Sequence, residues 1–264
     1  MIRVGIALVT LFALLTLFGP LLAPYDPTEL SSALLQPPSG AHLFGTDEFG
    51  RDVLSRVFFG ARLAFRLGLL SVGVALVFGG MLGLMSGYYG GWFDTLLQRL
   101  MEWLLAFPEL LFVIGLVAMF GPSLDTVILG LGIFAIPGYV RVVRSVVFSA
   151  REEAYVEAAR SLGASDRRIM LVHLLPNVYA PAVVLSTLRV GSALLAGSAL
   201  SFIGLGAQPP TPEWGAIMAT GREYLLDAWW ITFFPGVLIA LSVLGVNLLG
   251  DGLRDRLDPA LRRS

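Results

Sequence analysis

Side chains able to do chemistry are concentrated in one polar stretch of this chain, from Glu152 to Asn177, between two long apolar runs. The stretch begins with good helix formers and with the carboxylates of Glu152 and Glu153, whose negative charge complements a helix dipole. Gly163 is suited to end that helix, because glycine readily adopts the left-handed conformation of a C-terminal cap. The pattern predicts a short helix that ends at Gly163.

A second short helix is predicted directly after this glycine. Ser165 can cap a helix from Asp166 to Leu175, and Pro176 disfavours a helical conformation for the residue before it. We therefore expect the chain to turn at Pro176. The result is two short helices joined by a tight bend, and so many polar residues on one internal loop of such an apolar chain indicate a docking surface.

The first of these helices carries small residues that another protein could approach closely. Ala158 and Ala159 form a smooth strip, and Glu157 and Arg160 flank it for polar contacts. Such a strip fits recognition of a helix in a groove. A solvated amphipathic loop without a partner is the alternative. The predicted contact residues are Glu153, Glu157, Ala158, Ala159, Arg160, Gly163, Ala164 and Asp166.

Missing residue types exclude several kinds of chemistry. The chain has no lysine, so it cannot contain a Walker A loop, whose lysine must reach the nucleotide phosphates. It has no cysteine, which excludes disulfides and thiolate metal sites. The two histidines, His42 and His173, are expected on opposite sides of a membrane. We predict no catalytic residues, no metal site and no cofactor.

Composition indicates an integral membrane protein that is entirely helical. Of its 264 residues, 56% are hydrophobic, and the mean hydropathy is +0.79. A membrane-spanning helix needs about 20 apolar residues, and the length suits one bundle of six such helices. Glycines in the second apolar run predict close helix packing. The predicted spans are 4–23, 67–88, 100–120, 126–147, 181–205 and 229–249.

Arginine distribution predicts the orientation, because cytoplasmic loops carry excess positive charge. With the polar stretch inside, five arginines lie outside: Arg51, Arg56, Arg62, Arg66 and Arg222. Twelve lie inside: Arg3, Arg99, Arg141, Arg144, Arg151, Arg160, Arg167, Arg168, Arg254, Arg256, Arg262 and Arg263. Both termini are then cytoplasmic. The first run could instead be a cleaved signal peptide, although about twenty apolar residues are long for a signal core.

Residues 24–66 are predicted to form a periplasmic interfacial segment. Thr46 or Asp47 can cap a helix that runs to Arg62, with an apolar face containing Val53 and Val57. We expect this helix to lie along the outer membrane surface. A second periplasmic crossing, 208–227, is stiffened by three prolines.

Three ionisable residues are expected at or near membrane depth, and the first of them, Glu102, is expected to face the cytoplasmic mouth. Glu109 follows Pro108 and is expected to begin the second half of a broken helix, where a carboxylate complements exposed amides. Counted from Asn177, Arg189 lies about 18 Å along the fifth helix, too far for its side chain to reach the surface easily. A charge at that depth normally faces protein or a water-filled path, so we predict that Arg189 faces a translocation path or a partner protein, and not lipid.

Four motifs carry a resemblance to a known family. Glu157-Ala158-Ala159, Gly163 after a three-residue gap, and Leu175-Pro176 resemble the EAA loop of bacterial ABC importer permeases. The other motifs are GTDEFGRDVLSR at 45–56, LSFIGLGAQPPTPEWG at 200–215 and LGDGLRDRLDP at 249–259. Together they are similar to the C-type permease subunit of the dipeptide, oligopeptide and nickel importers. Residues 152–177 are called the EAA loop below.

The resemblance implies a type I importer permease of MetI-like fold in the bacterial inner membrane. Implied partners are a homologous second permease, two cytoplasmic ATPases gripping the EAA loops, a periplasmic or lipid-anchored substrate-binding protein, and membrane lipid; no nucleic acid is expected. The cargo stays open between dipeptides, longer peptides, a nickel chelate and another small solute. An ATP-independent channel or secondary transporter is the alternative function, and a membrane anchor without a path is a third.

Overall fold

The computed structural model describes residues 2–257, and the structured elements in that range are helices, with one isolated β-bridge between Thr46 and Asp52. The prediction of an all-helical protein is confirmed. Arg262 and Arg263, counted above for orientation, lie outside the described residues, as do the last two residues of the 249–259 motif. The helices are α1 (Ile2–Leu22), α2 (Val53–Tyr89), α3 (Gly91–Leu105), α4 (Glu109–Phe120), α5 (Leu124–Ala150), α6 (Ala154–Ser161), α7 (Asp166–Arg168), α8 (Leu175–Phe202), α9 (Trp214–Gly221) and α10 (Trp230–Leu257).

Five helical stretches in the described range are long and apolar enough to cross a membrane. They are α1, α2, α5, the continuous stretch from α7 through α8, and α10. A sixth crossing exists if α3 and α4 together count as one span, although these two helices are bent by 86° at the break between them. Pro108 is the N-cap of α4, and Glu109 is its first residue, as the sequence predicts.

Helices α2 and α5 pack with their backbones almost in contact along one glycine row. A Cβ added to Gly79 would lie 2.6 Å from Tyr139 Cβ, and one on Gly83 would lie 2.8 Å from Val140 O. Gly87, one further turn along, is equally close to α5. In lipid, small residues permit this close packing. The predicted packing role therefore holds for this row.

The predicted surface helix from residue 46 to Arg62 is wrong. Helix α2 begins at Val53 and continues without a break to Tyr89. Its N-cap is Asp52, whose side chain accepts a hydrogen bond from Ser55 N. The periodicity that suggested a separate helix belongs to the first turns of α2, where Val53 and Val57 are completely buried under the loops that cover this end.

The predicted turn at Pro176 is also wrong. Pro176 lies in the first turn of α8, and the chain is helical from Asp166 to Phe202. A π-helical segment, Ile169–Leu174, precedes the proline. A proline inside a helix removes one hydrogen bond and crowds the preceding turn, and a wider turn relieves both effects. The second EAA-loop helix is thus the beginning of a long transmembrane helix.

Candidate functional site

The bend of the EAA loop is a Schellman motif centred on Gly163. This residue has a φ of +80°, which favours glycine. Its N–H donates to Arg160 O at 3.0 Å, and the N–H of Ala164 donates to Ala159 O at 3.1 Å. These two bonds satisfy carbonyls at the end of α6. The predicted cap at Gly163 is confirmed, and Ser165 occupies the N-cap position of α7 without a side-chain capping bond.

The EAA loop exposes one face of α6 and buries the other. Val156 and Ala159 are buried against the bundle. The predicted strip of two exposed alanines is therefore wrong for Ala159, because its spacing of three from Val156 places it on the inner face. Ala164 is half-buried. The remaining predicted contact residues are exposed: Glu153, Glu157, Ala158, Arg160, Gly163 and Asp166.

Tyr88, at the end of α2, fastens the EAA loop to the transmembrane bundle. Its hydroxyl donates to Asp166 Oδ1 at 2.6 Å, and its buried ring packs in a cluster with Val156 and Ile169. Arg151 donates to the carbonyl of Gly87 at 3.0 Å, which satisfies the end of the same helix. Sequence reasoning missed Tyr88 because nothing in its local pattern reveals a partner 78 residues away.

A second polar cluster joins three helices near this end of the bundle. Arg144 of α5 donates from Nε and Nη2 to the Asp94 carboxylate of α3, at 2.6 and 2.5 Å. Ser86 of α2 donates to the same carboxylate at 2.6 Å. Paired guanidinium–carboxylate bonds fix orientation as well as distance. The first half of the α3–α4 elbow is therefore tied to α2 and α5.

Residues 24–52 and 203–229 together cover the opposite end of the bundle, and are called the distal cap. Trp214 Nε1 donates to Val57 O at 2.9 Å, and Trp230 Nε1 donates to Thr46 O at 3.0 Å. Arg51 Nε donates to the Asp47 carboxylate at 2.7 Å, with both side chains buried. Buried hydrogen-bonded pairs of this kind hold a cap in one arrangement.

Burial raises the pKa of two acidic side chains in the distal cap. Burial raises the pKa of Glu48. Burial also raises the pKa of Glu213, which is completely buried and caps α9 by accepting a hydrogen bond from Ala216 N. His42 lies in this cap, 2.9 Å from Asp52, whereas His173 lies in the π-helical segment of the EAA loop. Within residues 2–257, no group of three potential ligands could hold a metal ion.

Arg189 lies inside the bundle, halfway along α8. It is half-buried, and its Nη2 lies 3.2 Å from the position that a Cβ of Gly138 would occupy. It lines a small cavity together with Glu109 and Ser71. The guanidinium thus points between helices at the level where the chain also places the beginning of α4.

The described chain therefore has a helical bundle, an anchored loop with an exposed polar face, and an internal arginine. Residues 79–263, more than half of the chain, match the family described as binding-protein-dependent transport system inner membrane components. The chain belongs to this family. It is a permease subunit of the ABC importer class, a multi-pass protein of the bacterial inner membrane and not an enzyme.

A second match covers residues 1–38 of the permease, to the N-terminal transmembrane domain of oligopeptide transport permease C. This match favours a retained first span over a cleaved signal peptide. It also agrees with the C-type resemblance that the motifs indicate.

Similar proteins cover nearly the whole permease. The dipeptide transport system permease protein DppC of Alkalihalophilus pseudofirmus is 46% identical over 260 residues, which are 98% of this chain and 86% of that protein. The di/tripeptide transport system permease protein DppC of Pseudomonas aeruginosa is 45% identical, over 98% of this chain and 88% of its own. The probable D,D-dipeptide transport system permease protein DdpC of Escherichia coli is also 45% identical, over 96% and 85%.

Among solved structures, the fold resembles the MetNI methionine ABC transporter in an inward-facing conformation. The TM-score is 0.55, the identity is 18%, and the match covers 78% of the permease and 96% of that chain. The MetI-like fold predicted from the motifs is therefore confirmed.

Proposed function

We propose that the permease forms half of the translocation path of an ATP-driven importer of short peptides, and that ATPases drive it through the EAA loop. The observation that carries this proposal is the two-sided loop. Its inner face is anchored on α2 through Tyr88, and its outer face presents Glu157, Ala158 and Arg160. Relatives at 45–46% identity are named as dipeptide or di/tripeptide permeases, which supports the cargo.

The energy for transport comes from partner subunits. The permease has no lysine and so no Walker A loop of its own. Family membership implies an ATPase, a second permease and a substrate-binding protein in general. We assign two ATPases to the paired EAA loops, a homologous permease to the other half of the path, and a periplasmic or lipid-anchored binding protein to the distal cap. Both termini are then cytoplasmic.

The helical connection supports a lever mechanism. The chain is continuously helical from Asp166 to Phe202. A displacement of the EAA loop therefore moves the helix that carries Arg189. Arg189 faces the path in this proposal, where a hydrated guanidinium can hold a peptide carboxylate. Closure of the ATPases would move α7 and α8 together and rock one permease against the other.

A reconstituted transporter tests the coupling. Glu157→Arg reverses a charge on the outer face of α6, and we expect ATP-dependent uptake of dipeptides to fall about tenfold or more, because truncating or reversing a central charged contact costs several kcal/mol. The inserted amount of permease should stay unchanged, because Glu157 is exposed.

The matched control is Glu152→Arg, at another exposed carboxylate, which precedes α6 and pairs with Arg151 at 2.9 Å. It should transport nearly as well as the wild type. Wild-type uptake by the Glu157→Arg variant would contradict docking of the ATPases on this face of the EAA loop. Uptake without any ATPase would favour the alternative function, a channel or secondary transporter.

A further inference from the structure

Polar side chains from three helices meet inside the bundle, halfway along two of its long helices. Ser71 lies at the midpoint of α2, and Arg189 lies halfway along α8. Both line one small cavity with Glu109, the first residue of α4. Most other residues that line this cavity are apolar, including Leu131 and Ala135 of α5. A carboxylate and a guanidinium therefore share a small space inside the bundle.

None of these three groups has a hydrogen bond or ion pair with another described residue, although the Arg189 charge acts on the nearby Tyr139 hydroxyl. Ser71 is 2% exposed, and its Oγ has no hydrogen-bond partner. A serine in a helix usually bonds to a carbonyl of the preceding turn or faces water, and Ser71 does neither. Within residues 2–257, no protein group forms a hydrogen bond or salt bridge with the Glu109 carboxylate or the Arg189 guanidinium.

Such groups require partners inside a membrane. Charges at this depth pair with one another or contact water, and a buried hydroxyl without a partner calls for an ordered water. Glu109 and Arg189 have opposite charges and lie on different elements, the second half of the elbow and the helix driven by the EAA loop. The cavity between them has room for about one water molecule, and its polar lining residues are Ser71, Glu109, Arg189 and Ser192.

We propose that Glu109 and Arg189, bridged by water held on Ser71, form a charge-pair gate at the middle of the path. The pair neutralises both charges while the cavity is small. Movement of α8 separates the two groups, and the site opens and hydrates. The gating role rests on the proposed transport function, whereas the pairing itself does not.

The pairing is tested independently of transport, because the chain has no cysteine. Glu109→Cys combined with Arg189→Cys, in the assembled complex in membrane vesicles, should be linked by a short bifunctional methanethiosulfonate reagent. Arg189→Cys alone should react with a small charged methanethiosulfonate, which reports water at the site. The control pair replaces Glu109 with the exposed Glu102 of α3, on the other side of the 86° break. Absence of the link, or a link equally strong in the control, would overturn the pairing.

The gate is tested by exchanging the charges. Glu109→Gln and Arg189→Gln should each lower the amount of dipeptide taken up per ATP hydrolysed, by about tenfold when one charge is left unpaired. The exchanged double variant, Glu109→Arg with Arg189→Glu, should recover most of that ratio. Ser71→Ala should lower the ratio without changing the amount of complex, and the control Glu102→Gln should have no effect.

Two results overturn the gate. One is an exchanged variant that performs no better than the single variants, which would assign Glu109 to the dipole of α4 alone. The other is a Glu109→Gln variant that matches Glu102→Gln. If the wild-type complex transports no dipeptide with ATP, the proposed function fails while the cross-link still decides the pairing.

Discussion

At the scale of single residues, the sequence located the charges but not their partners. Arg189 and Glu109 stand out because ionisable residues are rare in apolar runs. Tyr88 and Ser71 do not stand out, because tyrosine and serine occur in most helices. Their roles depend on contacts with α7 and with the central cavity, which only the fold brings together.

The Tyr88 hydroxyl is predicted to transmit force between the loop and α2. Tyr88→Phe keeps the buried ring and removes the bond to Asp166, a charge-assisted bond worth about 1.5–3 kcal/mol. We expect unchanged amounts of complex but less dipeptide transported per ATP. Tyr155→Phe is the control, since Tyr155 is exposed and bonds only within the loop and the start of α8. Equal losses in both variants would argue against a specific role for Tyr88.

Glu213 is predicted to make the distal cap more stable in mild acid. Burial raises its pKa in the folded protein, so protonation favours the folded state. Stability should therefore rise as pH falls through the folded pKa towards the ordinary value near 4.5. Glu213→Gln removes the charge and should be at least as stable as wild type at pH 7, with a flatter pH dependence. Thermal denaturation in detergent between pH 7 and pH 5 measures both; an unchanged slope would contradict the assignment.

At the scale of elements, local rules predicted helix ends well and helix continuity poorly. The cap at Gly163 and the break before Glu109 follow from glycine and proline alone. Two local signals gave wrong predictions. Pro176 does not end the helix, because the π-helical turn before it accommodates the proline. The capping signal near residue 46 does not begin a helix, because it lies in the loop before α2. Both exceptions depend on tertiary packing that a local pattern does not contain.

The bend at Gly163 is predicted to be essential for the shape of the EAA loop. Gly163→Val places a β-branched residue at a φ of +80°, at a cost of about 1–3 kcal/mol. Gly163→Asn should be tolerated, because asparagine adopts this conformation more readily. We expect uptake to collapse in the valine variant only, with both variants inserted. Quantitative blotting and dipeptide uptake in vesicles separate insertion from activity, and full uptake by the valine variant would refute the prediction.

At the scale of the whole molecule, the apolar runs predicted the number of crossings closely. The third predicted crossing is the exception. It consists of α3 and α4, which meet at a bend of 86°, and hydropathy cannot detect such an angle. The EAA loop and the distal cap lie at opposite ends of the same bundle, which fits one loop facing the ATPases and the other facing the binding protein.

Sidedness is predicted from the arginine bias and is tested by labelling. In the cysteine-free chain, Ser165→Cys and Thr211→Cys each provide one reactive site, in the EAA loop and in the distal cap. A membrane-impermeant maleimide should label Thr211→Cys once the outer membrane is permeable, and Ser165→Cys only after the inner membrane is opened. The unmodified chain is the blank. The opposite pattern would invert the topology.

The glycine row between α2 and α5 restricts how this permease can move. At Gly79, Gly83 and Gly87 the two helices lie so close that a larger side chain would not fit between them, and we expect such close packing to resist relative movement of the pair. We therefore expect α2 and α5 to move together as one rigid unit. In the proposed mechanism we therefore expect a movement of the EAA loop to be taken up at the π-helical turn and at the 86° elbow, and not by bending of α2 and α5.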